Sequence, residues 1–439
     1  MEILIKASQF ILSLSFLIVL HELGHFIPAK LFKTRVEKFY LFFDYKFSII
    51  KKKFGETVYG IGWIPLGGYV KIAGMIDESM DTEQLKKPAQ PWEFRSKPAW
   101  QRLIIMLGGV IVNFILGILI YIMITFIWGV DFVAPEDVKN GFAVHETFKA
   151  YGFKDGDKIT KFNGATPIDV TDVNKHLFLR DLKSLDVVHE NGNSETIELP
   201  EDIGDIMWAQ GVMEPFQARV VAIFDTVVAN SPAEKAGLLK NDKILAVNDT
   251  PINYWHEFTD ELLGSTSSSV KLLIERAGVQ SEINVIPGSD KKIGVAPNYL
   301  GSLNIQHKQY SFFESISKGN SLAIWTLRDY VKQFKYVFTK KGATSIGGFI
   351  AIGNIFPATW SWKSFWSITA FLSIMLGFMN LLPIPALDGG HVVFTLYEMF
   401  SGRKPNDKFL EYAQITGFIL LIALLILANG NDIVKLFSN

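Results

Sequence analysis

The feature that most constrains the fold of this chain is an apolar segment, residues 103–128, that contains no charged side chain. It is long enough to cross the hydrocarbon core of a bilayer, where an α-helix satisfies its own backbone hydrogen bonds. Three further segments are apolar enough to be membrane helices, at about residues 5–29, 365–382 and 409–428. The sequence therefore predicts a polytopic α-helical membrane protein with about four transmembrane helices.

The composition indicates that a substantial water-soluble part accompanies these helices. The chain has 439 residues, of which 49% are hydrophobic and 20% are charged, and its mean hydropathy is +0.23. The formal net charge of −1 does not favour a nucleic-acid partner. Because the sequence has no cysteine, disulfides, thiolate metal sites and cysteine nucleophiles are all excluded.

The first apolar segment contains the sequence H-E-x-x-H. His21 and His25 are four positions apart, so on a helix both rings project from one face and can hold one zinc ion. Glu22 is the neighbouring carboxylate that can accept a proton from the attacking water. Ionisable side chains are costly within a membrane segment, and this favours a functional site over a chance match or a pair of histidines that only join helices.

Lysine and arginine residues indicate how the chain is oriented. They are concentrated at both ends of residues 30–102, and Lys86 and Lys87 are among them, whereas the opposite flanks of the membrane segments carry few. The positive-inside rule then predicts that residues 30–102 are cytoplasmic and that residues 129–363 and both termini lie outside. The H-E-x-x-H motif is expected toward the cytoplasmic end of its helix, still at membrane depth.

A catalytic zinc ion usually has three protein ligands and an open position. The first and third segments both reach the inner side, so the third ligand is expected just past the third segment, after Pro383 and Pro385. These prolines end the helix, and we expect Asp388 to be the ligand on the unwound backbone that follows. His391 is the alternative. Histidines within residues 129–363 would have to cross the bilayer to reach the motif.

Residues 129–363 contain an internal repeat. Residues 152–164 match residues 237–249, at a spacing that corresponds to one small domain. Each copy predicts a turn, a strand with alternating apolar side chains and a second turn at Asn-Gly or Asn-Asp, with a helix after it. Before the second copy, Ser231 and Pro232 predict a short capped helix; the first copy lacks this Ser-Pro-Ala helix and has only residues 145–152 in its place.

This repeat resembles a pair of PDZ domains, at residues 129–215 and 216–300. PDZ domains bind an extended peptide along a sheet edge, so peptide ligands are possible partners; two spacer domains that bind nothing are the alternative. Residues 301–345 then predict an amphipathic helical segment, in which Ser311 and Glu314 have the spacing of a capping box. It lies on the membrane lipid or packs against a partner domain as an ordinary helix.

Three features together resemble the site-2 intramembrane metalloproteases, in particular the bacterial branch that contains the regulator of sigma-E protease. They are H-E-L-G-H in the first segment, N-L-L-P-I-P-A-L-D-G after the third, and the PDZ pair between them. The similarity covers nearly the whole chain, from a membrane half at residues 1–128 to a second at residues 346–439. It implies that His21, His25 and Asp388 bind Zn²⁺ and that Glu22 is the catalytic base.

The resemblance also implies a set of substrate-binding residues. Residues 60–72 are similar to a re-entrant β-hairpin, about residues 56–76, that offers an edge strand to an unwound substrate; a cytoplasmic surface hairpin is the alternative. Asn113 matches a polar family position linked to substrate handling, although asparagine also commonly joins membrane helices. The implied substrate-binding residues are Asn113, Asn380, Pro383, Pro385, Gly67, Gly68 and Tyr69.

We therefore expect a zinc endopeptidase of a bacterial inner membrane, with a periplasmic PDZ pair that gates entry to an active site toward the cytoplasm. The resemblance implies cleavage of the transmembrane segments of single-span proteins, such as anti-sigma-factor-like regulators and signal-peptide remnants, in regulated intramembrane proteolysis. One alternative is a membrane-anchored zinc protease for quality control of misfolded membrane proteins. The other is a non-catalytic PDZ scaffold.

Overall fold

The structure, a computed structural model, describes residues 1–75, 88–299 and 301–438. The chain divides into two compact units. The first, which we call the membrane unit, consists of Met1–Gly129 and Gln309–Asn439, and the second, the repeat unit, is Val130–Lys308. Lys86 and Lys87 of the predicted cytoplasmic charge cluster, and the last residue of the predicted hairpin interval, lie outside the described residues.

The membrane unit begins with two long helices and a small sheet between them. The helices are α1 (Glu2–Leu31) and α2 (Ala99–Trp128). The strands, in the spatial order β2-β3-β1-β4, are β1 (Val36–Phe43), β2 (Ile50–Phe54), β3 (Thr57–Ile61) and β4 (Ile64–Ile72). The strand β4 therefore forms one edge of this sheet.

The predicted hairpin pairing is wrong. Only Gly62 and Trp63 separate β3 from β4, as in a hairpin, but β1 lies between the two strands, parallel to β3 and antiparallel to β4. The connection crosses the end of β1, where the N–H of Gly62 donates to the carbonyl oxygen of Leu41 (2.8 Å). A side chain at residue 62 would meet the backbone of Phe43. Local alternation predicts a strand, but it does not identify the strand's partner.

The repeat unit contains many short elements. In chain order they are β5 (Val130–Phe132), β6 (Phe142–Val144), α3 (Glu146–Lys149), β7 (Lys158–Phe162), α4 (Val173–Leu179), β8 (Ser184–Val188), β9 (Ser194–Glu198), α5 (Ile203–Gln210), β10 (Phe216–Ala218), β11 (Phe224–Val227), α6 (Pro232–Lys235), β12 (Lys243–Val247), β13 (Thr250–Pro251), α7 (Trp255–Gly264), β14 (Val270–Arg276), β15 (Val279–Val285), β16 (Val295–Pro297) and β17 (Gln306–Lys308). The larger sheets have the orders β7-β8-β9 and β13-β12-β14-β15, and β6 pairs with β10, β11 with β16 and β5 with β17.

The two copies of the repeat form equivalent strands, β7 and β12, each followed by a tight turn. Asn163 and Gly164 in the first turn, and Asn248 and Asp249 in the second, all have positive φ, as type I′ turns require. Each copy contributes to a separate buried apolar core. The short helix predicted before the second copy is α6, and the Ser231 hydroxyl oxygen accepts a hydrogen bond at its start.

The described part of the membrane unit continues with six α-helices. They are α8 (Phe312–Phe334), α9 (Lys340–Ser345), α10 (Phe349–Ile355), α11 (Trp362–Leu381), α12 (Asp388–Ser401) and α13 (Asp407–Ser438). The predicted capping box is present at the start of α8. Among the described residues, four helices are long and apolar enough to cross a membrane, namely α1, α2, α11 and α13. The prediction of about four membrane helices is therefore confirmed.

The helix α12 was not predicted, and Asp388 does not lie on unwound backbone. Asp388 is the first residue of α12, and the non-helical segment is residues 382–387 before it. The sequence obscures this helix start because glycine is a poor helix former and two glycines follow Asp388. The tight return of the chain requires them, since a side chain at Gly390 would meet the carbonyl oxygen of Ile384 at 2.6 Å.

Candidate metal centre

Three side chains from α1 and α12 converge within the membrane unit. The Nε2 atoms of His21 and His25 lie 3.3 Å apart, and they lie 3.4 Å and 3.3 Å from Oδ2 of Asp388. We call these three residues the metal centre, since among the described residues they form the group of His, Asp and Glu side chains that could hold an ion. His391, the alternative ligand, lines the adjacent cavity and is not in this group.

The spacing of these atoms fits a zinc ion. Tetrahedral bonds of about 2.0–2.1 Å separate neighbouring ligand atoms by about 3.3–3.4 Å, which matches all three measured separations. Oδ2 of Asp388 is buried and has no hydrogen-bond partner among the described residues, although two imidazoles face it. A buried carboxylate oxygen normally has a donor, so this geometry is that of a ligand set.

Each histidine of the metal centre also has a polar group of α2 at its second ring nitrogen. Nδ1 of His25 lies 2.8 Å from the carbonyl oxygen of Ile105. An acceptor there holds the proton on Nδ1 and leaves Nε2 as the ligand atom. Nδ1 of His21 lies 3.0 Å from the side-chain nitrogen of Asn113, and the side-chain nitrogen of Asn380 lies 3.4 Å from its Nε2.

Glycines allow α2 to approach the metal centre. A side chain at Gly109 would meet Nε2 of His25 and would lie 2.6 Å from Cε1 of His21, and one at Gly24 would meet the backbone of Gly108. Small residues allow membrane helices this close approach. These glycines were not predicted as site residues, although Gly108 and Gly109 stand out as a pair in a segment of bulky side chains.

A cavity of about 350 Å³ lies beside the metal centre. Glu22 and Val70 of β4 both line it, and the Val70 backbone lies beside the Glu22 carboxylate. Gly68 also lines the cavity, and a side chain there would lie 2.5 Å from Ile18 of α1. The strand β4 can therefore contact α1 because residue 68 has no side chain.

Tyr69 forms part of the cavity wall and is held by its neighbours. Its hydroxyl donates to Oδ1 of Asp44 (2.7 Å), and Nζ of Lys38 lies 3.3 Å from Oδ2 of the same carboxylate. The Tyr69 ring stacks with Tyr40 and Phe43, at centroid distances of 5.4 Å and 6.0 Å. This network places an ion pair and a rigid aromatic surface at the cavity.

The other predicted substrate-binding residues do not line this cavity in the part of the chain that the structure describes. They are Asn113, Asn380, Pro383, Pro385 and Gly67. Asn113 is completely buried, whereas Pro383 is exposed. Gly67 has φ +151°, a conformation that favours glycine, and so shapes β4 beside the cavity.

Gln414 of α13 is a cavity residue that was not predicted. Its Oε1 accepts the N–H of Ala386 (3.2 Å), a non-glycine residue held at φ +79°. One turn later, Gly417 packs against the backbone of Pro385. The fourth long helix thus holds the segment that leads into Asp388. A lone glutamine in an apolar helix is the sequence signal that could have identified it.

The sequence is similar to known proteins over nearly its full length. The profile of peptidase family M50 matches residues 9–424. A Vibrio cholerae protein with the provisional name of zinc metalloprotease is 28% identical, and the match covers 99% of this chain and 100% of the relative. The regulator of sigma-E protease RseP of Salmonella typhimurium and the regulator of sigma E protease of Haemophilus influenzae are each 28% identical, again over 99% of this chain and 100% of the relative.

Proposed function

Because the chain belongs to peptidase family M50 and is a zinc metalloprotease with several membrane helices, we propose that it cleaves peptide bonds within the transmembrane segments of single-span membrane proteins. One observation carries this proposal. Two of the three converging side chains of the metal centre project from α1, a helix long and apolar enough to span a bilayer, beside a cavity that could hold a short stretch of substrate.

The side chains around the cavity supply the remaining chemistry. His21, His25 and Asp388 would hold Zn²⁺, which when bound polarises the scissile carbonyl group and increases the acidity of water. Glu22 accepts a proton from the attacking water and delivers it to the leaving amine nitrogen as the C–N bond breaks. Glu22 and Val70 of β4 both line the cavity where these transfers would take place.

The strand β4 is suited to hold the substrate in an extended conformation. It is an edge strand, and its residues Gly68, Tyr69 and Val70 line the cavity that Glu22 also lines. The peptide bonds of a helical substrate are shielded, and unwinding within a membrane frees backbone groups that require new partners. Pairing with β4 would provide them, with Gly68 and Tyr69 in contact with substrate. Direct substrate contacts by Asn380, Pro383, Pro385 and Gly67 stay predictions.

The repeat unit is proposed to select substrates. We interpret residues 129–215 and 216–300 as PDZ-like domains, and the Lys and Arg distribution supports a periplasmic location for them in a bacterial inner membrane. In this scheme the pair admits substrates whose outer domain has already been trimmed. The names of two relatives refer to the regulation of sigma E, so anti-sigma-factor-like proteins are the proposed substrate class.

The test is cleavage of a model single-span protein by the purified, zinc-loaded chain in lipid vesicles. We expect products whose new termini, mapped by mass spectrometry, lie within the transmembrane segment of the substrate, and about 10²–10⁴-fold slower product formation by the Glu22→Gln variant. Cleavage confined to a cytoplasmic loop would instead favour a membrane-anchored quality-control protease. Zinc binding without any cleavage would favour a scaffold.

A further inference from the structure

Asn113 is predicted to contact substrate, but its surroundings are those of a residue that supports the metal centre. Its side chain is completely buried in α2 and, among the described residues, it does not line the cavity beside Glu22. Its side-chain amide lies against Nδ1 of His21, at 3.0 Å. Its backbone oxygen accepts the hydroxyl of Ser373 (2.7 Å), which fixes this turn of α2 against α11.

The hydrogen-bonding requirement of His21 determines which end of that amide faces it. If Nε2 of His21 binds the ion, Nδ1 carries the proton and must donate it. An amide nitrogen cannot accept that proton, and Oδ1 of Asn113 is buried without a hydrogen-bond partner in the described structure. The two ends of the amide have nearly the same shape, so exchanging them pairs Oδ1 with the Nδ1–H and satisfies both groups.

We infer that Asn113 is a positioning residue of the metal centre, whose side-chain oxygen accepts the Nδ1–H of His21 and fixes the orientation of that ring. The carbonyl oxygen of Ile105 has the corresponding place at Nδ1 of His25, 2.8 Å away. One helix, α2, thus supplies the second contact of both histidines. The inference rests on the proposed ligand set. Mutation of a hydrogen-bond partner of this kind typically weakens metal binding about 10–100-fold.

The experiment measures the zinc dissociation constant of the full-length protein in detergent, by competition with a chelator of known affinity. Asn113→Ala removes the acceptor, and we expect zinc to bind about 10–100-fold more weakly. Asn113→Asp keeps oxygen acceptors and removes the nitrogen donor, so we expect its affinity to stay close to that of the wild type. Asn113→Leu, whose side chain has the same branched skeleton but no polar atom, is the second test of the lost acceptor should the alanine variant not fold.

Ser13→Ala is the matched control. The Ser13 hydroxyl lies 2.8 Å from that of Thr369, and this pair joins α1 to α11 as another completely buried polar contact of the metal-bearing helix. We expect its zinc affinity to equal that of the wild type.

Three results would overturn the inference. Asn113→Ala or Asn113→Leu could bind zinc as tightly as Ser13→Ala, Asn113→Asp could bind as weakly as Asn113→Ala, or KM could rise with the zinc affinity unchanged, which is the result expected of a substrate contact. A wild-type protein that binds no zinc would instead contradict the proposed function.

Discussion

The two units of this chain each contain a cluster of histidine and carboxylate side chains, and the two clusters differ in one geometric respect. In the metal centre the ligand atoms converge on a common point. In the repeat unit, His189 uses its two ring nitrogens in opposite directions, with Nδ1 at 2.6 Å from Asp157 and Nε2 at 3.0 Å from Glu195. The residue types are the same, so convergence, and not composition, distinguishes a metal site from a structural ion pair.

The second copy of the repeat supports the structural interpretation of the His189 cluster. Asp157 and Asp242 are equivalent buried residues, and each accepts the backbone N–H of the residue three positions earlier, at 2.8 Å. In the second copy the partner of the carboxylate is Arg276, with two contacts of 2.6 Å. His189 follows β8 where Arg276 ends the equivalent strand β14, so one copy uses a titratable cation and the other a permanent one.

The largest effect on the cleavage rate is expected when one carboxylate of each cluster is replaced by an amide. Glu22→Gln keeps the size of the side chain but removes the base, so we expect cleavage to fall by about 10²–10⁴-fold while zinc stays bound. Glu195→Gln makes the same chemical change at the His189 cluster, and we expect cleavage to be unchanged. Initial rates on a single-span substrate and zinc analysis test both, and cleavage by Glu22→Gln at the wild-type rate would refute the proposed mechanism.

Zinc content provides the next test. His21→Ala or Asp388→Ala removes one converging ligand, and we expect the purified protein to lose its zinc. His189→Ala removes the ring from the diverging cluster, and we expect the zinc content to match that of the wild type. Metal analysis by mass spectrometry measures this directly. Loss of zinc from His189→Ala, with retention by His21→Ala, would reverse the assignment of the two clusters.

Adding a methyl group at the metal centre tests whether its ligands need the space that a glycine leaves. Gly109→Ala would place a carbon atom against both imidazoles, and overpacking of this kind costs about 1–3 kcal/mol. We expect weaker zinc binding measured by chelator competition. Gly430→Ala is the control in another membrane helix, since no described atom lies within 4 Å of the added carbon. Equal zinc affinity in the two variants would show that the helices separate at little cost.

The smallest expected effect is a pH dependence of local stability, confined to the sheet that contains the first copy of the repeat. The hydrogen bond to Glu195, and then that to Asp157, raise the pKa of His189 above its ordinary value of 6.5, against burial and the nearby charge of Lys154. A raised pKa in the folded state means that the protonated ring stabilises the fold. This contribution is complete below about pH 6.5 and is lost as the pH rises through the raised pKa.

Hydrogen exchange of the full-length protein, corrected for intrinsic exchange rates, measures this dependence. We expect amides of β7–β9 to lose about 1–2 kcal/mol of protection as the pH rises, and His189→Gln to abolish the change. Amides of β12–β15 serve as the internal control, because Arg276 stays charged. A similar change in both sheets would show that His189 does not cause it.

The sequence alone determined those features that depend on residues close together in the chain. The charge-free segment predicts α2, the spacing of His21 and His25 places both on one helix face, and the capping box predicts the start of α8. Each of these follows from a local period or a local hydrogen bond, so no distant contact is needed to recognise it. The repeat is also visible in the sequence alone, since it is found by comparing one segment of the chain with another.

Only the tertiary structure decided how distant segments meet in detail. β1 lies between β3 and β4, Asp388 begins a helix whose preceding turn is held by Gln414, and Gly109 gives α2 access to the metal centre. Every one of these depends on close approach of segments far apart in sequence, where a missing side chain or a single amide determines the fit. The spacing of residues along the chain does not predict such a contact, because close packing depends on the three-dimensional shapes of the side chains that meet.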